Sequence, residues 1–337
     1  MSITAKELAK ILGLSPAAVS MALNQKPGVS AKTREKVIST AKQYGYDFSK
    51  REYPSLTSSA STKGALLLLV YRKSGVVVSD SPFFNEVFEG IHEKCSQLHY
   101  TLSIQYLYDR EQAQAALRGN KADGIILLGT EMAAEDYQPF EQCPVPIVVL
   151  DTYFETVQAN YVLINNTQGA YQATGFLIKR CMSQPGYLRS AYPIGNFNER
   201  ANGFYQAIRD YGMSPSKSVV HLLSPAPDGA YADMCCLLEQ QEELACCYFA
   251  DNDAIACAAM RALQEHGYRI PEDISIIGFD DIPVCGYVVP ALTTVRVSKR
   301  YLGNTAVSHL IRLMEEKTNV CCKIEISTEL VVRGSVR

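Results

Sequence analysis

The sequence predicts an α/β protein: parallel sheets flanked by helices, preceded by a small all-α domain. Three observations lead there. Residues 1–46 place apolar side chains at helical spacing between capping signals, with no strand pattern. From Lys63 onwards, short apolar runs alternate with helical patterns, as in parallel sheets covered by helices on both faces. A chain of 337 residues also exceeds one small core and divides into two or three domains.

The helical head begins with Thr4 and Glu7, a capping box in which each side chain serves a backbone donor at the helix start. Leu8, Ile11 and Leu12 then fall on one face. Gly13-Leu14 makes the turn, since glycine adopts the left-handed conformation that closes a helix. Ser15 is a good N-cap and Pro16 suits the first helical position. Val19, Ala22 and Leu23 face inward on the second helix. Ser30 caps a third helix carrying Val37, Ile38, Ala41 and Tyr44, which stops near Gly45. Two helices joined by a short glycine-containing turn read as a helix-turn-helix, whose second helix lies in the DNA major groove. A plain three-helix bundle has the same pattern, and charge separates the two readings. Residues 1–63 hold ten Lys/Arg against four acids, a net +6, which leaves −9 for the rest of a chain totalling −3. A basic head on an acidic body suits phosphate contact by the head alone.

Asp47 to Lys63 is polar and Ser/Thr-rich without periodicity, a linker by composition. Beyond it, Ala65–Tyr71, Thr101–Tyr108, Asp123–Leu128 and Ile147–Leu150 read as strands buried on both faces. Phe84, Val87, Phe88, Ile91, Cys95 and Leu98 recur at helical spacing between the first two. Further strands are expected at Tyr161–Ile164, Gly186–Ala191, Val219–Leu223, Ala245–Ala250 and Ser275–Phe279, with helices from Gln168 and Asn198. No apolar run approaches the ~18 residues that span a bilayer, and the N-terminus shows no apolar signal core. The expected location is cytoplasmic, with no membrane partner. Eleven cysteines, three pairs of them vicinal, include no Cys-x-x-Cys and no histidine at zinc spacing. They read as reduced thiols packed as small apolar groups, and no metal or other cofactor is called for.

Ligands of open α/β sheets bind outside the carboxyl ends of the strands. Those ends carry Asp151, Asp251-Asn252-Asp253 and Asp280-Asp281, while Arg200 opens a helix of residues 198–212. Carboxylates, an amide and a guanidinium fork together match a polyhydroxylated ligand such as a sugar. Asp and Asn also favour helix caps and turns, and for Asp251, Asp253 and Asp281 that structural reading is preferred. Phe83 and Phe84 either line the cleft or pack in the core at a helix start. Enzyme chemistry is not expected. There is no nucleophile elbow, phosphate loop or His-Glu metal motif. Adjacent Asp280 and Asp281 on a strand end point to opposite sides, a poor glycosidase dyad.

The head carries the motifs Ala5-Lys-Glu-Leu-Ala, Gly13-Leu-Ser, Val19-Ser, Leu23-Asn, Val29-Ser, Thr33-Arg-Glu-Lys-Val and Gly45-Tyr, and the body carries three more. These are Phe249-Ala-Asp-Asn-Asp, Ile276-Ile-Gly-Phe-Asp-Asp and Leu292-Thr-Thr-Val-Arg-Val. Together they resemble the LacI family of bacterial transcription regulators over nearly the whole chain. The resemblance implies a helix-turn-helix domain at 1–46, a hinge at 47–63 and a periplasmic-binding-protein-like effector domain at 64–337. Lobe 1 would take about 64–160 and 291–319, and lobe 2 about 161–290 and 320–337, with crossings near Asn160, Pro290 and Asn319. Arg200, Asn252 and Asp280 match the family's sugar-contacting positions, Asp151 matches another, and Tyr231 sits near a stacking aromatic. Tyr71 and Lys299 are further candidates.

For DNA, the resemblance points Pro16, Ala17, Ser20 and Met21 into the groove, with Ser15, Ser20, Asn24, Thr33 and Lys36 suited to phosphates. Met21 stands where the family often has arginine, so it cannot read a guanine edge as arginine does. Leu56 matches a minor-groove wedge, although Pro54 opposes a regular hinge helix by ~3 kcal/mol. The implied function is a repressor that binds double-stranded operator DNA as a homodimer and answers to a small sugar-like effector. Residues 84–98 and 300–317 would form the dimer face. The alternative is a cytosolic sugar-binding protein or a carbohydrate-active enzyme on the same fold.

Overall fold

The computed structural model describes residues 5–15, 18–19, 22, 33, 36–37, 40–41, 62–79, 81–317 and 320–337. The chain divides into two compact units, Met1–Ser61 and Thr62–Arg337. In the first, helix α1 (Ala5–Leu12) ends at Gly13, whose φ of 65° is the left-handed turn the sequence calls for. Leu14 N–H closes that end by donating to Ala9 O at 3.0 Å. Leu8, Ala9, Val19, Ala22, Val37 and Ala41 form the core of this unit, with Leu12 and Leu14 against it. Ile11, expected inward, is 49% exposed; the buried stripe runs through Leu8, Ala9 and Leu12 instead. Ser15 Oγ accepts from Ala18 N at 3.1 Å, the N-cap bond expected of it. Thr33 is half-buried and Lys36 exposed. Pro16, Ala17, Ser20, Met21, Asn24 and Leu56 lie outside the described residues.

The second unit is built on two six-stranded sheets. Sheet 1 runs β11 (Lys323–Ile326), β5 (Asn160–Ile164), β4 (Ile147–Leu150), β3 (Gly124–Leu128), β1 (Gly64–Tyr71) and β2 (Tyr100–Leu107). Sheet 2 runs β12 (Glu329–Val331), β10 (Thr293–Arg296), β9 (Ser275–Asp280), β8 (Cys247–Ala250), β6 (Gly186–Ser190) and β7 (Val220–Leu223). Every pair is parallel except β10 with β12. Parallel strands need crossovers. Within the sheets these are α2 (Pro82–Gln97), α3 (Arg110–Arg118), α5 (Gly195–Asp210), α6 (Pro227–Glu239) and α7 (Asp253–Glu265), while α4 (Asn166–Cys181) and α8 (Lys299–Glu316) connect one sheet to the other.

Strand parity sorts the core into layers. Leu66, Leu68 and Val70 of β1 face α2 and α8, whereas Leu67, Leu69 and Tyr71 face α3 and the 3-10 turn Ala134–Phe140. Sheet 2 is covered by α4 on one face and by α6 and α7 on the other. β2 differs from expectation: it is an edge strand with Ile104 and Tyr106 exposed, because one side of it has no neighbouring strand.

Three short straps join the lobes, and each falls later than expected. β5 pairs with β4 and β11, so it belongs to lobe 1 and the first strap is Asn165, not Asn160. β10 pairs with β9 in lobe 2, so the second strap is Val297-Ser298, beyond Pro290. β11 lies in sheet 1 and β12 in sheet 2, so the third is Ser327-Thr328 and not near Asn319. Straps one and three are tied together, Asn165 N donating to Ile326 O at 2.9 Å.

Candidate functional site

The carboxyl ends of the two sheets meet around a cavity of about 50 Å³. Lobe 1 lines it with Val77, Ser81, Phe83, Phe84, Thr130 and Asp151. Lobe 2 supplies Ile194, Asn196, Phe197, Arg200, Asn252 and Asp280.

Arg200 lies in the second turn of α5, which starts at Gly195, three residues before the expected start. It is only 3% exposed. Its Nε donates to Asn166 Oδ1 at 2.9 Å, Nη1 donates to Asp251 O, and Nη2 meets Asp280 Oδ1 at 3.1 Å. The guanidinium lies 3.8 Å from the Phe279 ring centroid. Three of its five N–H donors are thereby engaged and two remain for the cleft. Asn252 caps α7, its Oδ1 accepting from Ile255 N at 2.8 Å, which leaves its amide nitrogen as a donor to the cavity.

Asp151 follows β4 with φ of 62°, and Asp280 and Asp281 end β9 at 114° and 53°. Non-glycine residues in this region are strained by about 1–3 kcal/mol each, and such strain gathers at binding sites. Asp151 is 2% exposed; Oδ2 accepts from Thr130 Oγ1 at 2.6 Å, and Oδ1 is buried with no partner among the described residues. Burial pushes its carboxyl up to about 7, against the opposing pull of Thr130 and Arg200. Burial also raises the Asp280 carboxyl, which Arg200 and Lys299 oppose. Asn196 Nδ2 donates to Asp151 O at 3.1 Å, a direct bond from lobe 2 to lobe 1.

Glu131, next to Thr130, shapes the lobe 1 wall. Its buried carboxylate accepts from the N–H groups of Ser74 and Gly75 at 2.8 Å each, Val77 at 2.9 Å and Val78 at 3.1 Å. Burial works to raise this carboxyl, but the four backbone donors hold it below its ordinary value. The loop leading to Ser81 and the Phe83–Phe84 pair is pinned by this one side chain; the two rings meet edge to face at 5.0 Å.

Asp251, Asp253 and Asp281 act within the framework. Asp251 accepts from Tyr187 Oη and from Ser190 N at 2.6 Å. Asp253 holds Thr294 Oγ1 at 2.5 Å and Ile282 N at 3.0 Å. Asp281 pairs with Arg296 at 2.7 Å and Arg333 at 2.6 Å. Two expected cleft residues are elsewhere. Tyr71 is buried on the α3 face of sheet 1, where burial and nearby Asp136 push its hydroxyl up to about 12; odd positions of β1 point away from α2. Tyr231 lies on α6 and its hydroxyl bonds Glu265 on α7, with Arg261 4.4 Å from its ring, because its phase on the helix turns it toward α7. Phe197 takes the cleft position expected of an aromatic. Thr130, Asn196 and Phe197 were missed, although the strand-end rule reaches them once applied to β3 and β6.

A cavity between two parallel-sheet lobes tied by three straps, in a chain that begins with a separate helical unit, is the architecture of a two-lobed binding domain with a helical head. Comparison with known proteins agrees. Residues 175–336 match the periplasmic binding protein-like domain, and residues 4–48 match the bacterial regulatory proteins of the lacI family. The chain thus joins a lacI-family regulatory head to a periplasmic-binding-protein-like body. It is 28% identical over 343 residues to the HTH-type transcriptional repressor PurR of Vibrio atlanticus (strain LGP32), covering 99% of this chain and 98% of the relative. The PurR repressor of Haemophilus influenzae is likewise 28% identical over 344 residues, with the same coverage. Among solved structures, the transcriptional regulator CelR–cellobiose complex matches 99% of both chains at 24% identity and a TM-score of 0.73. A LacI family transcriptional regulator from Enterococcus faecium with bound ribose matches 80% of this chain and 98% of its own at 24% identity, TM-score 0.70.

Proposed function

We propose that this chain is a sequence-specific DNA-binding transcriptional repressor whose operator affinity is set by a small sugar-like effector held between the lobes. It acts as a homodimer on a roughly palindromic operator in the cytoplasm. The observation that carries the effector reading is the pairing across the cleft. Asp151 keeps a buried acceptor without a partner, opposite the unused donors of Arg200 and Asn252 and the second oxygen of Asp280. A ligand bearing several hydroxyls satisfies all of these at once, since each hydroxyl both donates and accepts. Phe83, Phe84 and Phe197 offer ring surface to its apolar faces. The relatives named repressors, and the two neighbours holding cellobiose and ribose, support the same reading.

The head would read DNA through Pro16, Ala17, Ser20 and Met21, with Ser15, Ser20, Asn24, Thr33 and Lys36 contacting phosphates and Leu56 as the minor-groove wedge. The lobes would act by closing differently with and without effector, since a ligand shifts a two-state equilibrium only by preferring one state. A hydrolytic role is disfavoured by Asp281, whose two oxygens are taken by Arg296 and Arg333 and cannot form a dyad with Asp280.

The test combines two measurements on the full chain. Duplexes enriched from a random library are titrated by fluorescence anisotropy over a range of salt, and a thermal-shift screen covers cellobiose, ribose, other neutral sugars and sugar phosphates. Log affinity should fall linearly with log salt, and at least one sugar should raise Tm and change duplex affinity. Absence of any enriched duplex would remove the repressor reading; absence of any sugar response would remove the effector reading.

A further inference from the structure

Lys299 was a candidate for the cleft, yet it does not line the cavity. It stands behind it, at the first turn of α8 immediately after the Val297-Ser298 strap, and is 5% exposed. Its Nζ donates to Asp280 O at 2.8 Å and to Asp281 O at 3.0 Å, and lies 3.6 Å from Glu86 Oε1 on α2. Two of the three ammonium donors bond lobe 2 carbonyls, and the lobe 1 carboxylate of Glu86 balances the charge at ion-pair distance. A buried cation is tolerated only when it is paired and hydrogen-bonded in this way.

The two carbonyls belong to the strained corner at the end of β9, where consecutive residues hold positive φ. The side chain of one of them, Asp280, is the cleft carboxylate paired with Arg200. Any ligand that alters the Arg200–Asp280 pair therefore acts on a backbone whose carbonyls rest on Lys299. On the other side, Lys299 begins a helix in close contact with α2. A Cβ on Gly90 would overlap the carbonyl of Arg300, and one on Gly303 would overlap that of Val87. Two helices packed backbone to backbone have no slack between them and shift as a pair. Arg300 adds ion pairs to Glu89 and Glu93 on the same helix.

We infer that Lys299 is a positioning residue that transmits the state of the cleft from the Asp280–Asp281 corner of lobe 2 to the α2–α8 helix pair of lobe 1. The inference rests on reading the cleft as the effector site, but its test uses no sugar. Amide hydrogen exchange is measured by mass spectrometry on four full-length proteins: the parent, Asp280→Asn, Lys299→Met and the double variant. Asp280→Asn weakens the pairing with Arg200 and so stands in for a change of cleft state. It should speed exchange across residues 82–97 by about fivefold or more in the parent background, the low end of measured couplings between sites. In the Lys299→Met background the same substitution should leave that segment unchanged.

A purely local role for Lys299 would give the same Asp280→Asn effect in both backgrounds, and that additivity would overturn the inference. If Lys299→Met does not fold, Glu86→Gln replaces it, since Glu86 is the lobe 1 partner and sits at the surface end of the contact. The cycle then carries the same expectation and the same refutation. A chain that answers to no sugar but shows the non-additive cycle loses the effector reading and keeps the coupling. A chain that answers to a sugar but shows additivity does the reverse.

Discussion

On the lobe 2 side of the cleft, Arg200 already has Asn166, Asp251 O and Asp280 as partners and an aromatic ring beneath it, so that wall is rigid before any ligand arrives. On the lobe 1 side, Asp151 has one oxygen bonded to Thr130 and the other bonded to nothing among the described residues. The loop beside it depends on the single carboxylate of Glu131. The difference assigns separate tasks to the two walls. On the proposed reading, lobe 2 would fix where a ligand lies, and lobe 1 would carry the unmet hydrogen-bond demand that a ligand satisfies.

The largest test of that asymmetry is Arg200→Ala. It strips the cation from the buried Asp280 carboxylate, and breaking a buried pair from one side costs about 3–5 kcal/mol. Urea unfolding of the full chain, followed by tyrosine fluorescence and circular dichroism, should show the sensor unit losing stability on that scale. A near-neutral result would mean that lobe 2 is not the prebuilt wall.

Asp151→Asn should have an intermediate effect, confined to pH dependence. Burial raises the Asp151 carboxyl to about 7 in the folded chain, above the ordinary carboxylate value it has when unfolded. Between those two values the folded state holds the proton and the unfolded state has released it, so this group makes stability fall as pH rises. Tm of the parent measured from pH 4 to 7.5 should therefore decline more, or rise less, than that of Asp151→Asn. Superimposable profiles would place the unsatisfied demand somewhere other than lobe 1. Tyr231→Phe is the smallest change: it removes an exposed hydroxyl from Glu265 on the outer side of lobe 2, and neither Tm nor the sugar response should move. A lost sugar response would return Tyr231 to the cleft.

Much of this arrangement is legible in the sequence, for reasons that also mark where legibility stops. Ile147–Leu150 reads as a strand because both of its faces are buried, leaving no polar position to confuse the pattern. Asp151, Asn252 and Asp280 follow from one rule about strand ends, Arg200 from a helix start and the family resemblance, and all four line the cavity. Tyr71 and Tyr231 lie elsewhere because a match of position gives a place along an element and not the direction of its side chain. That direction comes from strand parity at Tyr71 and from helix phase at Tyr231. The straps, placed near Asn160, Pro290 and Asn319 by the resemblance, fall later because β5, β10 and β11 each extend a sheet beyond those points. Which sheet each joins is decided by hydrogen bonding to distant strands. Lys299 was found at the level of residue type, but its partners are backbone carbonyls of Asp280 and Asp281, which no side-chain pattern announces.

The brevity of the three straps has a mechanical consequence. Asn165, Val297-Ser298 and Ser327-Thr328 are one or two residues each, so any relative motion of the lobes would be a rocking about these joints. With only about 50 Å³ enclosed, admission of a guest requires that rocking, because binding sites for small molecules typically occupy several hundred Å³. Entry and signal thus share a single pivot, and a molecule too bulky to let the jaws return would be held without being heard.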